Sequence, residues 1–294
     1  MTNSLKFGTI LVATDLQGNN SAALRYAQAI ASQHGSTVVI LYVIDPVGYA
    51  FPNGSREFVK TNTEASDELK RIEDEIGRSG IAVRSVVESG AVCDRILHAI
   101  KEHNADLLIL GTKAKTNAGR VALGIVARRL LARSSCPILT VPRGAESLLS
   151  TAECWRRVLV ATDFSASSLS AVQCAHRIVR GELLVVHASG PNHEKECPSY
   201  LERLRFLAPL NESHTVPVEH IAASGDIGKL VSQLVLTFKP DLIVLGAPES
   251  DLTPDELGAS TVMEIVSGAF CPVLCVPAQL ASSETTFMPE VIEA

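Results

Sequence analysis

Aspartate and glycine residues follow hydrophobic runs at matched positions in the two halves of this 294-residue sequence. Asp15 follows TILVAT and Asp163 follows RVLVAT, while Gly111 ends LLILG and Gly246 ends LIVLG. Runs of this length and composition are typical of buried parallel strands. Because open parallel sheets bind ligands beyond the carboxyl ends of the strands, where strand order reverses, these residues predict two candidate ligand sites.

The segments that follow the two glycines carry opposite charge. Between Gly111 and Gly124 there are only basic charged residues, and between Gly246 and Ala259 there are only acidic ones. The basic residues are Lys113, Lys115 and Arg120, and the acidic residues are Glu249, Asp251, Asp255 and Glu256. Two like charges about 4 Å apart repel by about 4 kcal/mol at an effective dielectric of about 20. We therefore expect a polyanionic ligand at the first site and not at the second.

Other patterns that could do chemistry are weaker. The sequence contains no G-x-S-x-G, H-E-x-x-H or complete P-loop motif. His187 and His193 could form a zinc pair, but a strand-end histidine and a loop histidine are the favoured interpretation. Cys271 and Cys275 are expected on one strand, packed in the core. The segment DELKRIEDEIGR, which begins at Asp67, is typical of the solvent face of a helix.

The matched positions belong to an internal duplication. The segment TILVATDLQGNNSAALRYAQAIA, from Thr9, aligns with RVLVATDFSASSLSAVQCAHRIV, from Arg157. Three later blocks also align: VESGAVCDRIL with AASGDIGKLVS, NADLLILG with KPDLIVLG, and SSCPILTVP with AFCPVLCVP. These three share an offset of 135 positions, whereas Asp15 and Asp163 lie 148 positions apart. Four blocks in one order indicate two repeats of one domain.

Each repeat alternates β-branched runs with amphipathic segments, which predicts strands covered by helices on both faces. In the first repeat we expect strands near Thr9–Thr14, Thr37–Ile44, Ala82–Val87, Asp106–Leu110 and Ile138–Val141. Asn19, Asn20 or Ser21 can cap the first helix, and Gly35 ends it. Asp45–Ala65 is expected to be a surface excursion. The predicted fold class is α/β, with two doubly wound, mainly parallel five-stranded sheets in tandem; a βα barrel is disfavoured.

Composition limits the classes of partner. A net charge of −6 argues against binding duplex DNA or an anionic membrane surface, and an aromatic content of 4% argues against stacking on single strands. No apolar run reaches the roughly 18 to 20 residues of a membrane helix. The seven cysteines are odd in number and form no C-x-x-C pair, which favours reduced thiols and a cytoplasmic location.

The blocks VATD, SG, DLLILG and CP-apolar-apolar-x-VP, in this order and spacing, resemble the universal stress protein domain and cover nearly the whole chain in tandem. The resemblance implies a Rossmann-like fold, similar to that of adenine-nucleotide alpha hydrolases. In this family the final strand commonly pairs across a dimer. Ile138–Val141 and Val273–Val276 are therefore the candidates for an intramolecular pairing of the two domains, and the whole chain could also form a homodimer.

Nucleotide-binding members of this family carry a signature after the fourth strand: Gly, two residues, Gly, nine residues, then Gly and Ser or Thr. Glycines let the backbone approach phosphate, and helix-start N–H groups bind it. Aligned on the Cys-Pro pairs, the first repeat has Gly111, Ala114, Gly124 and Ile125, and the second has Gly246, Glu249, Ala259 and Ser260. Each repeat departs from the signature at two or more positions.

By this resemblance, ATP with Mg²⁺ is the expected ligand of the first repeat. The implied adenine-side residues are Ala13, Thr14, Asp15 and Val43. The implied phosphate-side residues are Gly111, Thr112, Ala114, Gly124, Ile125 and Val126. The degenerate counterparts are Asp163, Gly246, Glu249, Ala259 and Ser260. Both aspartates can instead be turn residues, and the basic segment can instead be a solvated surface. We interpret Gly90 and Gly225 as turn glycines.

The predicted organisation is one domain at residues 1–144, a second at 153–280 and a flexible tail at 281–294. The predicted function is a stress-linked regulator that binds ATP in its first domain. A turnover enzyme is disfavoured because no general base or set of metal ligands accompanies the basic segment. Two alternatives remain: a nucleotide-independent dimerisation or interaction module, and a slow ATPase or phosphotransferase. Neither nucleic acid nor membrane is an expected partner.

Overall fold

A computed structural model describes most of both repeats. The described residues are 6–16, 21–45, 62–112, 123–149, 155–209, 216–248 and 260–278. Several sequence predictions fall outside them. These are most of the excursion after Asp45, the basic and acidic segments with Ala114, Glu249 and Ala259, and the tail at 281–294.

The described residues form ten strands. They are β1 (Thr9–Thr14), β2 (Thr37–Ile44), β3 (Val83–Ser89), β4 (Leu107–Thr112), β5 (Ile138–Pro142), β6 (Arg157–Ala161), β7 (Glu182–Ala188), β8 (Val218–Ala223), β9 (Leu242–Gly246) and β10 (Val273–Val276). The predicted bounds of β1 and β2 are confirmed. The third strand extends to Ser89 because its ladder with β2 continues to the pair Ile44 and Ser89, beyond the end of the hydrophobic run.

Eight α-helices cover the sheet in the described part of the chain. They are α1 (Ser21–His34), α2 (Asn62–Gly77), α3 (Val92–Glu102), α4 (Ile125–Arg133), α5 (Ala166–Ile178), α6 (Cys197–Leu207), α7 (Ile227–Phe238) and α8 (Thr261–Gly268). As predicted, α1 ends before Gly35, whose φ of 69° lies in the left-handed region that glycine adopts at little cost. None of these helices is long and apolar enough to cross a membrane.

The strands join in a single sheet with the order β3-β2-β1-β4-β5-β10-β9-β6-β7-β8. Within each repeat the pairings are parallel, and strand order reverses between β1 and β4 in the first repeat and between β6 and β9 in the second. This confirms the α/β class and the tandem arrangement. The reversal also places the predicted aspartates and glycines at the same edge of adjacent strands.

The two repeats meet through their final strands. β5 and β10 pair antiparallel, with Leu139 directly opposite Leu274. The Thr140 hydroxyl donates a hydrogen bond to the Val273 carbonyl oxygen at 3.2 Å. The pair is fully covered by core residues, and it merges two five-stranded sheets into one of ten strands.

Hydrophobic cores lie on both faces of the sheet. One core packs under α1, α2, α5 and α6, and the other packs under α3, α4, α7 and α8. Successive side chains of a strand point to opposite faces of the sheet, so each strand contributes to both cores. In β1, Ile10 and Val12 belong to the first core and Leu11 belongs to the second. Each core contains residues of both repeats, so the two repeats are joined by a continuous hydrophobic core on each face of the sheet.

The junction between the repeats is held to α1. The Tyr26 hydroxyl donates to the Ala145 carbonyl oxygen at 3.1 Å, and the Tyr26 ring stacks on Trp155 with centroids 5.9 Å apart. Both aromatic rings are buried. Ala145 and Trp155, one at each end of the junction, therefore both contact α1 of the first repeat.

Six cysteines within the described ranges are free thiols: Cys93, Cys136, Cys174, Cys197, Cys271 and Cys275. Burial raises the pKa of Cys174 and Cys275 to about 12, which suppresses the reactive thiolate form. Cys271 and Cys275 lie in the core as predicted, but Cys271 precedes β10 instead of sharing the strand.

Candidate functional site

The carboxyl ends of β2, β1 and β4 form the candidate site of the first repeat. Ala13 pairs with Leu110 across β1 and β4, and Thr14 pairs with Tyr42 across β1 and β2. Asp15, Val43 and Gly111 are the next residues along these three strands. The structure thus brings the predicted adenine-side residues and the first predicted glycine to one edge, at the strand-order reversal.

The turn after β1 has the same geometry as the turn after β6. The Thr14 hydroxyl oxygen accepts the Leu16 N–H at 3.0 Å, and the Thr162 hydroxyl oxygen accepts the Phe164 N–H at 3.0 Å. Leu16 and Phe164 have φ values of 55° and 65°. Thr14 is buried, and its hydroxyl group shapes the turn. A ligand at this site would therefore contact the backbone of Thr14 and not its side chain.

Asp163 acts as a turn residue in the second repeat. Its carboxylate accepts the Ser165 N–H at 3.0 Å and the Ser165 hydroxyl at 2.6 Å. Burial opposes ionisation, but the hydrogen bonds from Ser165 and Ser168 outweigh it and lower the pKa of Asp163. The sequence signal for this role is the serine two positions after the aspartate, where the first repeat has Gln17.

We expect the stabilising contribution of Asp163 to disappear in acid. A carboxyl group with a lowered folded pKa stabilises the protein above its unfolded pKa, here 3.8, and loses that contribution as the pH falls through the folded value. The difference in urea midpoint between wild type and Asp163→Asn should therefore be constant near neutral pH and shrink below pH 3.8. A difference independent of pH would contradict this role.

The predicted phosphate side contains both core-bound and exposed residues. Thr112 is buried, and its hydroxyl donates to the Val141 carbonyl oxygen at 3.4 Å. The Val126 carbonyl oxygen lies 3.8 Å from the Cys93 sulfur, which donates to it. Gly124 is exposed, and Ile125 is 70% exposed. Ligand contacts at Thr112 would therefore involve its backbone, whereas Gly124 and Ile125 lie open to solvent.

The amino terminus of α4 is basic, and no side chain of the described residues caps it. Gly124 precedes the helix, and a Cβ atom built on it would meet no atom of the described residues within 4 Å. The first turn has no acidic residue and contains Arg128, whose Nε atom is buried without a hydrogen-bond partner among the described residues. Arg129 and Arg133 are also on α4, which carries no acidic residue. Partial positive charge at a helix amino terminus attracts anions, and Arg128 and Arg129 reinforce it, whereas Arg133 lies at the other end of the helix and pairs with Asp94 at 3.3 Å.

The matching terminus of α8 is capped and acidic. The Ser260 hydroxyl oxygen accepts the Met263 N–H at 3.4 Å, which satisfies one of the free backbone donors. Glu264 lies in the first turn, and α8 carries no basic residue. Met263 and Glu264 stand where α4 has Arg128 and Arg129. The charge contrast seen in the sequence segments thus continues into the described helices.

Gly246 is required by packing. A Cβ atom there would lie 2.6 Å from the Ser168 backbone nitrogen and 2.7 Å from the Ser167 hydroxyl oxygen. The amino-terminal turn of α5 occupies this space, with the Ser168 hydroxyl 2.9 Å from that of Thr162. Sequence reasoning assigned Gly246 to a ligand loop because the approach of α5 could not be read from the local pattern.

The family is established by comparison with known proteins. The model of the universal stress protein family matches residues 6–142 and 155–277. The chain belongs to the universal stress protein family. Its two matched segments correspond to the two repeats, and together they cover most of the 294 residues.

Individual universal stress proteins match one repeat or both. Two proteins of Methanocaldococcus jannaschii are 28% and 27% identical to this chain, covering 46% and 48% of it and 81% and 98% of themselves. The crystal structure of a universal stress protein from Archaeoglobus fulgidus covers 92% of this chain and 98% of its own, with a TM-score of 0.75 and 21% identity. That structure shares the tandem fold over nearly its whole length.

Two further groups in this universal stress protein were considered as metal ligands. The His187 Nδ1–H donates to the Thr162 carbonyl oxygen at 2.8 Å, whereas His193 pairs with Glu196 at 2.9 Å, so the two histidines have separate partners. Glu88, His98 and Glu102 do lie within 4.8 Å of one another.

We assign no metal role to Glu88, His98 and Glu102. Arg95 lies 3.7 Å from the Glu88 carboxylate, where its positive charge competes with a cation. The side chains of His98 and Glu102 are 57% and 51% exposed. The ion pair of Glu88 with Arg95 and the contact of His98 with Glu102 at 3.4 Å account for this grouping.

Proposed function

We propose that this universal stress protein is a stress-linked regulator that binds ATP with Mg²⁺ in its first repeat and no nucleotide in its second. The observation that carries the proposal is the contrast between the arginine-bearing amino terminus of α4, which no described side chain caps, and the capped, acidic terminus of α8. A triphosphate is attracted to the first terminus and repelled by the second.

The arrangement of the strand ends supports an adenine nucleotide across the first site. Neighbouring strands lie about 4.8 Å apart, so β2, β1 and β4 together span about 10 Å. The base and sugar would lie against the Val43 backbone and Asp15, and the phosphates would extend past Gly111 toward Gly124. In the second repeat, the Asp163 carboxylate is already bound to Ser165.

Regulation fits this site better than rapid turnover. Among the first-repeat residues proposed to contact the nucleotide, Asp15 is the only titratable one, so a separate general base is not part of the proposed set. Bound Mg²⁺ would neutralise phosphate charge. The odd number of cysteines and the lack of a C-x-x-C pair favour a reducing, cytoplasmic location for this regulator.

Isothermal titration with Mg²⁺ and ATP tests the proposal. Wild type should bind one nucleotide per chain, and Gly124→Glu should weaken binding at least about tenfold, because a carboxylate would then face the phosphates. The control is Ala259→Glu, which makes the same substitution at the matching position of the second repeat. It should leave the affinity unchanged.

A thermal melt provides an independent measurement. Nucleotide at about 100 times its dissociation constant should stabilise the wild type by about 2.7 kcal/mol. Asp15→Ala should reduce that shift. If wild type releases no heat and shows no melting shift at millimolar ATP, or if Gly124→Glu binds as well as wild type, the proposed site is wrong, and a nucleotide-independent interaction module becomes the better interpretation.

A further inference from the structure

A cavity of about 410 Å³ lies between α5, α6 and the turn after β6 in the second repeat. It opens to solvent, since Phe206, which lines it, is 74% exposed. Its other apolar walls are formed by Phe164, Leu169 and Leu207, and its charged residues are Glu202 and Arg203. A cavity of this volume with apolar walls and a few charged groups is typical of a small-molecule site.

The turn after β6 holds Phe164 as a rigid aromatic wall. Its ring packs against the buried His187 ring with centroids 4.6 Å apart, and the Tyr200 ring packs against the same histidine at 4.4 Å. The first repeat has Leu16 at the position of Phe164. The second repeat therefore has an aromatic cluster next to the cavity before any ligand binds.

Arg203 is held over this wall and keeps its hydrogen-bond donors available. Its guanidinium carbon lies 3.9 Å from the centroid of the Phe164 ring, as in a cation–π contact. Among the described residues, no carboxylate lies within ion-pair distance of Arg203 and no acceptor takes a hydrogen bond from it. A guanidinium stacked on a ring keeps the N–H groups in its plane, where they suit a carboxylate with two oxygens.

The offset of 135 positions also relates α2 of the first repeat to α6 of the second. The Ser85 hydroxyl donates to the Glu73 carboxylate at 2.7 Å, and the His220 Nε2–H donates to the Ala208 carbonyl oxygen at 2.8 Å. Both residues of the second contact lie 135 positions after those of the first. The two helices can therefore be compared residue by residue.

The first repeat has an ion pair where the second has the cavity wall. Glu68 and Arg71 of α2 pair at 3.4 Å. Their counterparts in α6 are Arg203 and Phe206. The exposed pair of the first repeat is thus replaced by an arginine without a described acidic partner and by a second aromatic ring.

We propose that this cavity binds an aromatic monocarboxylate. It is here called the α5–α6 cavity and consists of Phe164, Leu169, Glu202, Arg203, Phe206 and Leu207. The ligand ring would pack between Leu169 and Phe206, and its carboxylate would accept hydrogen bonds from Arg203. The negative charge of Glu202 in the same wall disfavours a dianion or a polyphosphate.

A ligand-observed NMR titration of the full chain with 3-phenylpropionate tests the proposal. Wild type should bind one molecule with a millimolar or lower dissociation constant, as expected for a ligand of this size. The neutral probe 3-phenylpropan-1-ol has the same ring and chain but no carboxylate. It should bind at least about fivefold more weakly, because it cannot form a charge-assisted pair with Arg203.

Two variants separate the charge from the aromatic wall. Arg203→Met keeps an apolar stem and removes the charge, so it should weaken 3-phenylpropionate at least about fivefold and leave the affinity for the alcohol unchanged. Phe206→Ser should weaken both probes. The matched control is Arg205→Met, which makes the same substitution at an exposed arginine of α6 that does not line the cavity. It should change neither affinity.

The result is independent of the proposed nucleotide site, which is in the first repeat. Saturating Mg²⁺ and ATP should therefore leave the affinity for 3-phenylpropionate unchanged. Displacement by ATP would place the probe in the first repeat and overturn the proposal. The absence of saturable binding to wild type, or an Arg203→Met variant that binds 3-phenylpropionate as tightly as wild type, would also overturn it.

Discussion

Replacing Leu274 with alanine should lower the free energy of unfolding of the chain by about 2 to 5 kcal/mol. Leu274 is 2% exposed and lies opposite Leu139 in the antiparallel pair that joins the repeats. Truncation would leave a cavity in a core to which both repeats contribute. Urea denaturation followed by circular dichroism measures the loss.

A double-mutant cycle measures the interaction energy between Leu139 and Leu274 across the junction, apart from the contribution that each side chain makes to the core separately. Leu139→Ala should cost a similar amount, and the double variant should cost less than the sum of the two, because the two side chains contact the same space. Leu148→Ala, at an exposed position, is the control and should change stability by about 0.5 kcal/mol or less. Additive losses would show that these two side chains do not couple the repeats.

Gly246→Ala should destabilise the protein by about 1 to 3 kcal/mol in the absence of any ligand, because the new methyl group would overlap backbone that cannot rotate away. The clash is with the Ser168 nitrogen, 2.6 Å from the Cβ position. Thermal melting of the ligand-free variant measures the effect.

Gly77→Ala is the matched control for Gly246→Ala. Its added Cβ atom would make an ordinary contact, 3.8 Å from a Val83 methyl carbon, at the end of α2. We expect no loss of stability there, since alanine is the better helix residue. If Gly246→Ala melts like wild type, the packing explanation is wrong, and a ligand role for Gly246 would again be the better hypothesis.

Several features could be predicted because their causes are local. The hydrophobic runs at Thr9–Thr14 and Thr37–Ile44 became β1 and β2 with the predicted bounds, and Gly35 ended α1. Runs buried on both faces need a continuous apolar pattern, and a left-handed residue after a helix favours glycine. Both signals are present within a few residues of chain.

The candidate site was only partly predictable. Asp15, Val43 and Gly111 were correctly placed together, because parallel strands end at one edge of a sheet. The cap formed by Ser260 was missed, since a serine before a helix and a serine in a phosphate loop have the same local sequence. The separate partners of His187 and His193 also required the packed structure.

The sequence determined the duplication, the α/β class of each repeat and the opposite charges after Gly111 and Gly246, since all three follow from patterns along the chain. The tertiary structure decided that β5 and β10 merge two sheets into one, that Ser168 leaves no room beside Gly246, and that Ser260 caps α8 whereas no described side chain caps α4. These depend on distances between atoms brought together by folding, and residue spacing does not contain those distances.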